Sequence, residues 1–148
     1  MGGTDFLHLA VRLSGGATEA EWRSAVSRAY YGAFHLARDF VESCGVTLPK
    51  TAEAHDKLQW CLARSGSIQL PPVAERLNSL RAAPNVADYD LTSWRFSKRG
   101  SVLVAIQRAQ QIVDGLAQVQ SQSDFAKTRA AICEYASSTL RLPVKETD

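Results

Sequence analysis

The sequence predicts an all-α protein, an up-and-down helical bundle with two long antiparallel helices flanked by shorter ones. Three observations predict it. Alanine is abundant, apolar residues recur at helical spacing along most of the chain, and Val/Ile/Thr alternation over strand-length windows is nearly absent. The 148 residues suit one helical domain over residues 1–148, a length that buries most of what the unfolded chain exposes. With 45% apolar and 22% charged residues the composition is that of a globular chain, which excludes wholesale disorder.

The elements follow in order. A first short helix fits Asp5–Leu13, capped by Thr4, with Phe6, Leu9, Ala10 and Leu13 on one side and Ser14-Gly15-Gly16 ending it. Thr18 and Glu21 form a T-x-x-E capping box that opens a long helix to about Cys44, where Gly45 stops it. Its stripe is Trp22, Val26, Ala29, Ala33, Leu36, Phe40 and Cys44, broad enough for the middle of a fold. A third helix spans about Glu53–Arg64, with Leu58, Cys61 and Leu62 inward. Pro71-Pro72 start a fourth, since proline in the first turn loses no needed hydrogen bond, and Val73, Leu77 and Leu80 follow at helical spacing. Pro84-Asn85 break it, and a loop, Val86–Phe96, leads to the second long helix, Ser97–Gln120, striped by Val102, Ile106, Ala109, Val113 and Leu116. Ser123 caps a last helix, Asp124–Leu140, before Pro143 and a charged tail.

Several function classes fall away. No uncharged apolar run reaches the ~18 residues of a membrane span, the first residues lack a signal peptide's basic and apolar regions, and Phe6 stands where myristoylation needs Ser or Thr. Cys44, Cys61 and Cys133 are widely spaced with no C-x-x-C, so neither a disulfide framework nor a zinc ribbon is encoded and a reduced, cytoplasmic setting is expected. No metal site, cofactor motif or P-loop is found, and a net charge of +2 leaves any nucleic-acid role to local patches.

Two candidate sites emerge. On the long second helix Arg28 and His35 are seven residues apart, about 20° short of two full turns, so Ser24, Arg28, Tyr31 and His35 form one polar stripe beside the apolar face. Arg supplies a charged fork, Tyr a hydroxyl and His a proton donor or acceptor near neutral pH, a set suited to phosphate. The same spacing also suits a semi-buried polar seam with no ligand. The second candidate is the loop before the last long helix, where Arg95, Lys98 and Arg99 interleave with Trp94 and Phe96. Cations and aromatics together are what single-stranded RNA binding uses, while aromatics that plug into the bundle are the plainer alternative.

The string Ser27-Arg28-Ala29-Tyr30-Tyr31-Gly32-Ala33-Phe34-His35-Leu36-Ala37 resembles the S-R-x-Y-Y-A-x-F-H-x-A signature of the HEPN superfamily, in its branch of small stand-alone proteins. Gly45 followed by His55-Asp56-Lys57-Leu58 is similar to that branch's G-x(n)-H-x-x-L, and Leu80-Arg81 with Ala87-Asp88-Tyr89 to its L-x-x-x-R-x-x-A-D-Y, although Pro84 stands where the pattern has its Arg. The resemblance covers roughly residues 18 to 116. It implies a helical, usually homodimeric protein, often paired with a nucleotidyltransferase. Many members are metal-independent ribonucleases of toxin–antitoxin or defence systems; others only bind RNA or nucleotides. The ribonuclease members carry R-x(4–6)-H, and Arg28 and His35 with six residues between them match its upper limit.

Two functions stay open. As a metal-independent endoribonuclease, His35 would act as general acid or base, Arg28 would stabilise the phosphoryl oxygens and Tyr31 would position substrate. As a non-catalytic module, the chain would bind RNA, a nucleotide or a nucleotidyltransferase partner, with Arg81, Trp94, Arg95, Lys98 and Arg99 as the RNA-binding set. The second function is motivated by the absence of any His between Arg81 and Gly100.

Overall fold

A computed structural model describes residues 1–146. Among these residues seven helices form: α1 (Gly3–Ser14), α2 (Glu19–Ser43), α3 (Glu53–Ala63), α4 (Leu70–Leu80), α5 (Ala83–Tyr89), α6 (Arg99–Gln120) and α7 (Phe125–Ser138). The protein is an all-α helical bundle whose two long helices, α2 and α6, are flanked by shorter ones. Among the described residues no helix is long and apolar enough to cross a membrane.

The helix ends show which local signals act. The Thr18–Glu21 capping box forms in full: the Thr18 backbone N–H donates to Glu21 Oε2 at 3.0 Å and the Glu21 N–H to Thr18 Oγ1 at 3.2 Å. Gly45, at φ +111°, stops the chain after α2 in a backbone conformation that L side chains rarely adopt. Thr4 is not the cap of α1. The helix already begins at Gly3, and the Asp5 carboxylate takes the Gly2 N–H at 2.7 Å. Pro84 does not merely break α4; it sits in the first turn of α5, where its missing N–H costs nothing. The expected loop over Val86–Phe96 is therefore helical to Tyr89, and α6 starts at Arg99 rather than Ser97. Ser123 makes no side-chain cap on α7, whose N-cap is Asp124.

Two helix faces are rotated from their expected positions. α1 buries Gly3, Leu7, Ala10 and Ser14, while Phe6, Leu9 and Leu13 are only half-buried. α6 buries Val102, Ala105, Ala109, Ile112, Leu116 and Val119, with Ile106 and Val113 at the margin.

The chain divides into two compact units. The first comprises Met1–Leu36 and Arg76–Val113. In it α1 lies so close to α2 that a Cβ on Gly3 would stand 2.5 Å from the Gly32 carbonyl oxygen, and one on Gly32 would meet Leu7 at 2.8 Å. The start of α6 is tied to the end of α1 by Arg99 Nε, which donates to the Ser14 carbonyl at 2.7 Å. The second unit comprises Ala37–Glu75 and the described residues from Asp114 to Glu146. There α3 packs on α7, Arg38 donates to the carbonyls of Leu48 and Pro49, and the C-terminal tail pairs antiparallel with the segment after α2 through Val46 and Val144.

Candidate functional site

The polar stripe of α2 forms as a stripe, and α1 completes it. Arg28, Tyr31 and His35 are half-buried and Ser24 is exposed. The Arg28 guanidinium lies 4.8 Å from the centre of the Phe6 ring and 5.5 Å from that of Tyr31. The His35 ring stands 5.8 Å from the same Phe6 and 5.3 Å from Phe34. Phe6 thus bridges the two residues that an acid–base phosphate chemistry would use, holding the guanidinium by cation–π attraction. Phe6 belongs to the site, and sequence reasoning placed it only on the inner stripe of α1.

Two of the three sequence strings of the family resemblance meet in space. Ser27 is buried, and its hydroxyl donates to Asp88 Oδ2 at 2.9 Å; Arg28 Nη2 makes a longer contact to the same Ser27 oxygen at 3.4 Å. One turn earlier Arg23, only 6% exposed, enters the C-terminal end of α5. Its Nη1 donates to the carbonyls of Val86, Ala87 and Asp90 at 3.2, 3.2 and 3.0 Å, its Nη2 to that of Ser93, and its Nε to Glu19 at 2.9 Å. A helix gathers unpaired carbonyls and partial negative charge at its C-terminus, and a buried guanidinium satisfies both. Sequence reasoning missed Arg23. A signal exists: it heads the row Arg23, Ser27, Tyr30, Phe34, all buried at helical spacing, and a cation on such a row needs a partner.

Held by Arg23, the segment after α5 turns its side chains two ways. Phe96 is 3% exposed and anchors the loop, whereas Trp94 is 85% exposed, as is Tyr89 at the end of α5 at 84%. The plainer expectation, aromatics plugging inward, holds for Phe96 alone. Ser97 Oγ donates to the Trp94 carbonyl at 2.7 Å, and the Arg95 N–H to Ser93 Oγ at 3.3 Å, so local bonds fix the loop on both sides of Trp94. The Arg95 guanidinium lies 5.0 Å from the centre of the Phe96 ring. Trp94, Arg95 and Phe96 line a groove of about 260 Å³ with Ser101, Val104 and Arg108 of α6, floored by Ala83 and Ala105. Its lining carries two arginines and no carboxylate. Arg108 is the second residue that sequence reasoning missed, because only the folded loop brings it beside Trp94.

The other expected RNA-binding residues stand apart from the groove lining. Lys98 is exposed, Arg99 is exposed with its Nε committed to Ser14, and Arg81 is half-buried just after α4. Among the described residues no three His, Cys, Asp or Glu side chains gather as metal ligands do. The thiols of the second unit are held protonated: burial pushes Cys44 up to about 11 and Cys61 up to about 12, and it also raises Cys133, whose Sγ donates to the Cys44 carbonyl at 2.9 Å. No model of a known protein family, no curated protein and no solved structure matches the chain.

Proposed function

We propose that the protein is a HEPN-like, RNA-directed helical module that binds unpaired RNA at the loop of Trp94, Arg95, Lys98 and Arg99. One observation carries this reading. A large aromatic side chain is held out in solvent beside cations, on a loop fixed by a buried arginine. An exposed tryptophan offers a stacking face, neighbouring arginines neutralise phosphate, and a fixed loop loses little entropy on binding. The weak net charge is consistent with a local contact in place of bulk attraction. The setting proposed is the cytoplasm, with a homodimer and a nucleotidyltransferase partner as the family resemblance implies. The test is the affinity for a short labelled single-stranded RNA. Replacing Trp94, Arg95 and Arg99 together by Ala should abolish binding that Arg28→Ala leaves intact; the reverse pattern would refute the assignment.

A second reading, a metal-independent endoribonuclease, is favoured by the placement of Arg28 and His35 against one Phe6 ring. His35 would take the proton of a ribose 2′-hydroxyl as it attacks the adjacent phosphorus, the P–O5′ bond would break to leave a 2′,3′-cyclic phosphate, and the departing 5′-oxygen would take a proton from water; Arg28 would stabilise the charge on the phosphoryl oxygens, and Tyr31 would position the strand. Cleavage of labelled RNA in EDTA decides it. Loss of activity in both Arg28→Ala and His35→Ala supports the enzyme, and equal rates in all three proteins, or no cleavage by any, remove it.

A further inference from the structure

We infer that the groove between the 90–98 loop and α6 is a one-nucleotide subsite for unpaired RNA, with the base on Trp94 and its phosphate held by Arg95 and Arg108. The inference rests on the RNA-binding reading above and adds a residue, a stoichiometry and a selectivity to it.

Ser101, Val104 and Arg108 fall at i, i+3 and i+7, which puts them on one side of α6. That side is not the buried one, since Ser101, Val104 and Arg108 are all exposed. Across from it the loop presents Trp94 and Arg95, and Phe96 forms the inner wall. The groove therefore has an apolar part, from the Trp94 indole and the Val104 methyls, and a cationic part with two guanidiniums. A nucleotide has the same division into a flat apolar ring and an anionic phosphate. A volume of about 260 Å³ lies just below the usual range for ligand sites and suits a single nucleotide. Arginine's fork suits phosphate oxygens better than lysine's point charge does. Arg95 already rests on the Phe96 ring, which limits its freedom before any ligand arrives. A base can lie on Trp94 only when it has left its own stack, so the groove selects single strands over duplex.

The experiment measures affinity for a short single-stranded RNA, a blunt-ended RNA duplex and uridine 5′-monophosphate over a range of salt. Trp94→Ala is expected to weaken single-strand binding about 10–100-fold, the usual loss for one stacked base. Arg108→Ala is expected to weaken it and to lower the slope of log affinity against log salt by about 0.7, one phosphate contact on a single strand. Arg108→Lys should restore the slope and only part of the affinity. The blunt duplex and the mononucleotide should each bind at least about tenfold more weakly than the single strand. Both mutated residues are exposed, so the urea midpoints should match wild type and report intact folding. An unchanged salt slope in Arg108→Ala, with Trp94→Ala still weakened, overturns the subsite and leaves the RNA-binding reading standing. Equal affinity for blunt duplex and single strand also overturns it, and a mononucleotide as tight as the strand makes the groove a free-nucleotide site instead. Absence of binding by wild type overturns both.

Discussion

Replacing Arg23 by Ala removes the guanidinium that joins α2 to the end of α5 and to the loop beyond it. Its geometry sets the expected magnitude. Two nitrogens reach four backbone carbonyls, and the side chain is almost wholly buried. A hydrogen bond to a charged group contributes roughly 1.5–3 kcal/mol net. The four are not additive, because they share one cation and because water reaches some of the carbonyls once the side chain is gone. The expected loss is about 3–5 kcal/mol, since each buried carbonyl left without a donor costs about 1–3 kcal/mol. For a chain of this size that lowers the thermal midpoint by on the order of 10 °C. Arg23 also pairs with Glu19, but the Glu19 side chain is 45% exposed and lies one turn away on the same helix, so Glu19→Ala should cost only about 0.3–0.5 kcal/mol. Arg23→Lys keeps the charge and loses the fork, and should recover less than half of the difference. Urea unfolding of the three variants measures all of this. A loss under about 1 kcal/mol in Arg23→Ala, or a Glu19→Ala as costly as Arg23→Ala, would refute the assignment of Arg23 to the α5 carbonyls.

Three further outcomes are expected. Gly32→Ala puts a methyl against Leu7 and the Gly3 carbonyl and should cost about 1–3 kcal/mol, whereas Gly2→Ala meets nothing and should be nearly silent; equal effects in urea unfolding would contradict the close approach of α1 and α2. In native protein a thiol reagent at about pH 8 should modify Cys133 first, because burial raises the Cys44 and Cys61 thiols further and hides both; equal rates for all three would contradict the burial. The backbone N–H of Thr18, followed by its hydroxyl, lowers the Glu21 carboxyl below its ordinary 4.5, so the capping contribution is complete above that value and is lost as pH falls through the lower folded value. Glu21→Gln should accordingly lose less stability than wild type between about pH 5 and pH 3, and parallel acid limbs would show that the cap carries no charge dependence.

The parts of the fold that depend on near neighbours were legible in the sequence. The Thr18–Glu21 box and the Gly45 stop each involve only a few residues, and both form. The stripe on α2 was legible because its seven apolar positions, Trp22 to Cys44, recur at i+3 or i+4 without interruption. Face assignment on α6 was harder, since Val102, Ala109 and Leu116 belong to two overlapping stripes, one through Ile106 and Val113, the other through Ala105 and Ile112. Packing chose the second. Pro84 illustrates an ambiguity in proline itself, which ends one helix by the same chemistry that allows it to begin the next; with only seven residues, α5 shows no amphipathic period to decide the matter. The approach of α1 to α2 turns on Gly3 and Gly32, two residues without side chains to pattern. The stripe of Arg28, Tyr31 and His35 was legible from helical spacing, but the Phe6 between them comes from another helix. Arg23 bonds backbone carbonyls 63 to 70 residues away, which no side-chain pattern records. Arg108 joins Trp94 only because the intervening loop folds back over α6.

Photo-crosslinking a 4-thiouridine-containing single-stranded RNA to the protein, followed by tryptic mapping, tests the location of RNA most directly. The expected adduct lies in the peptide from Ala82 to Arg95, at Trp94 or beside it, and disappears in competition with unlabelled strand. An adduct confined to the peptide from Ala29 to Arg38, which carries Tyr31 and His35, would contradict that location and place the strand on the α2 stripe instead.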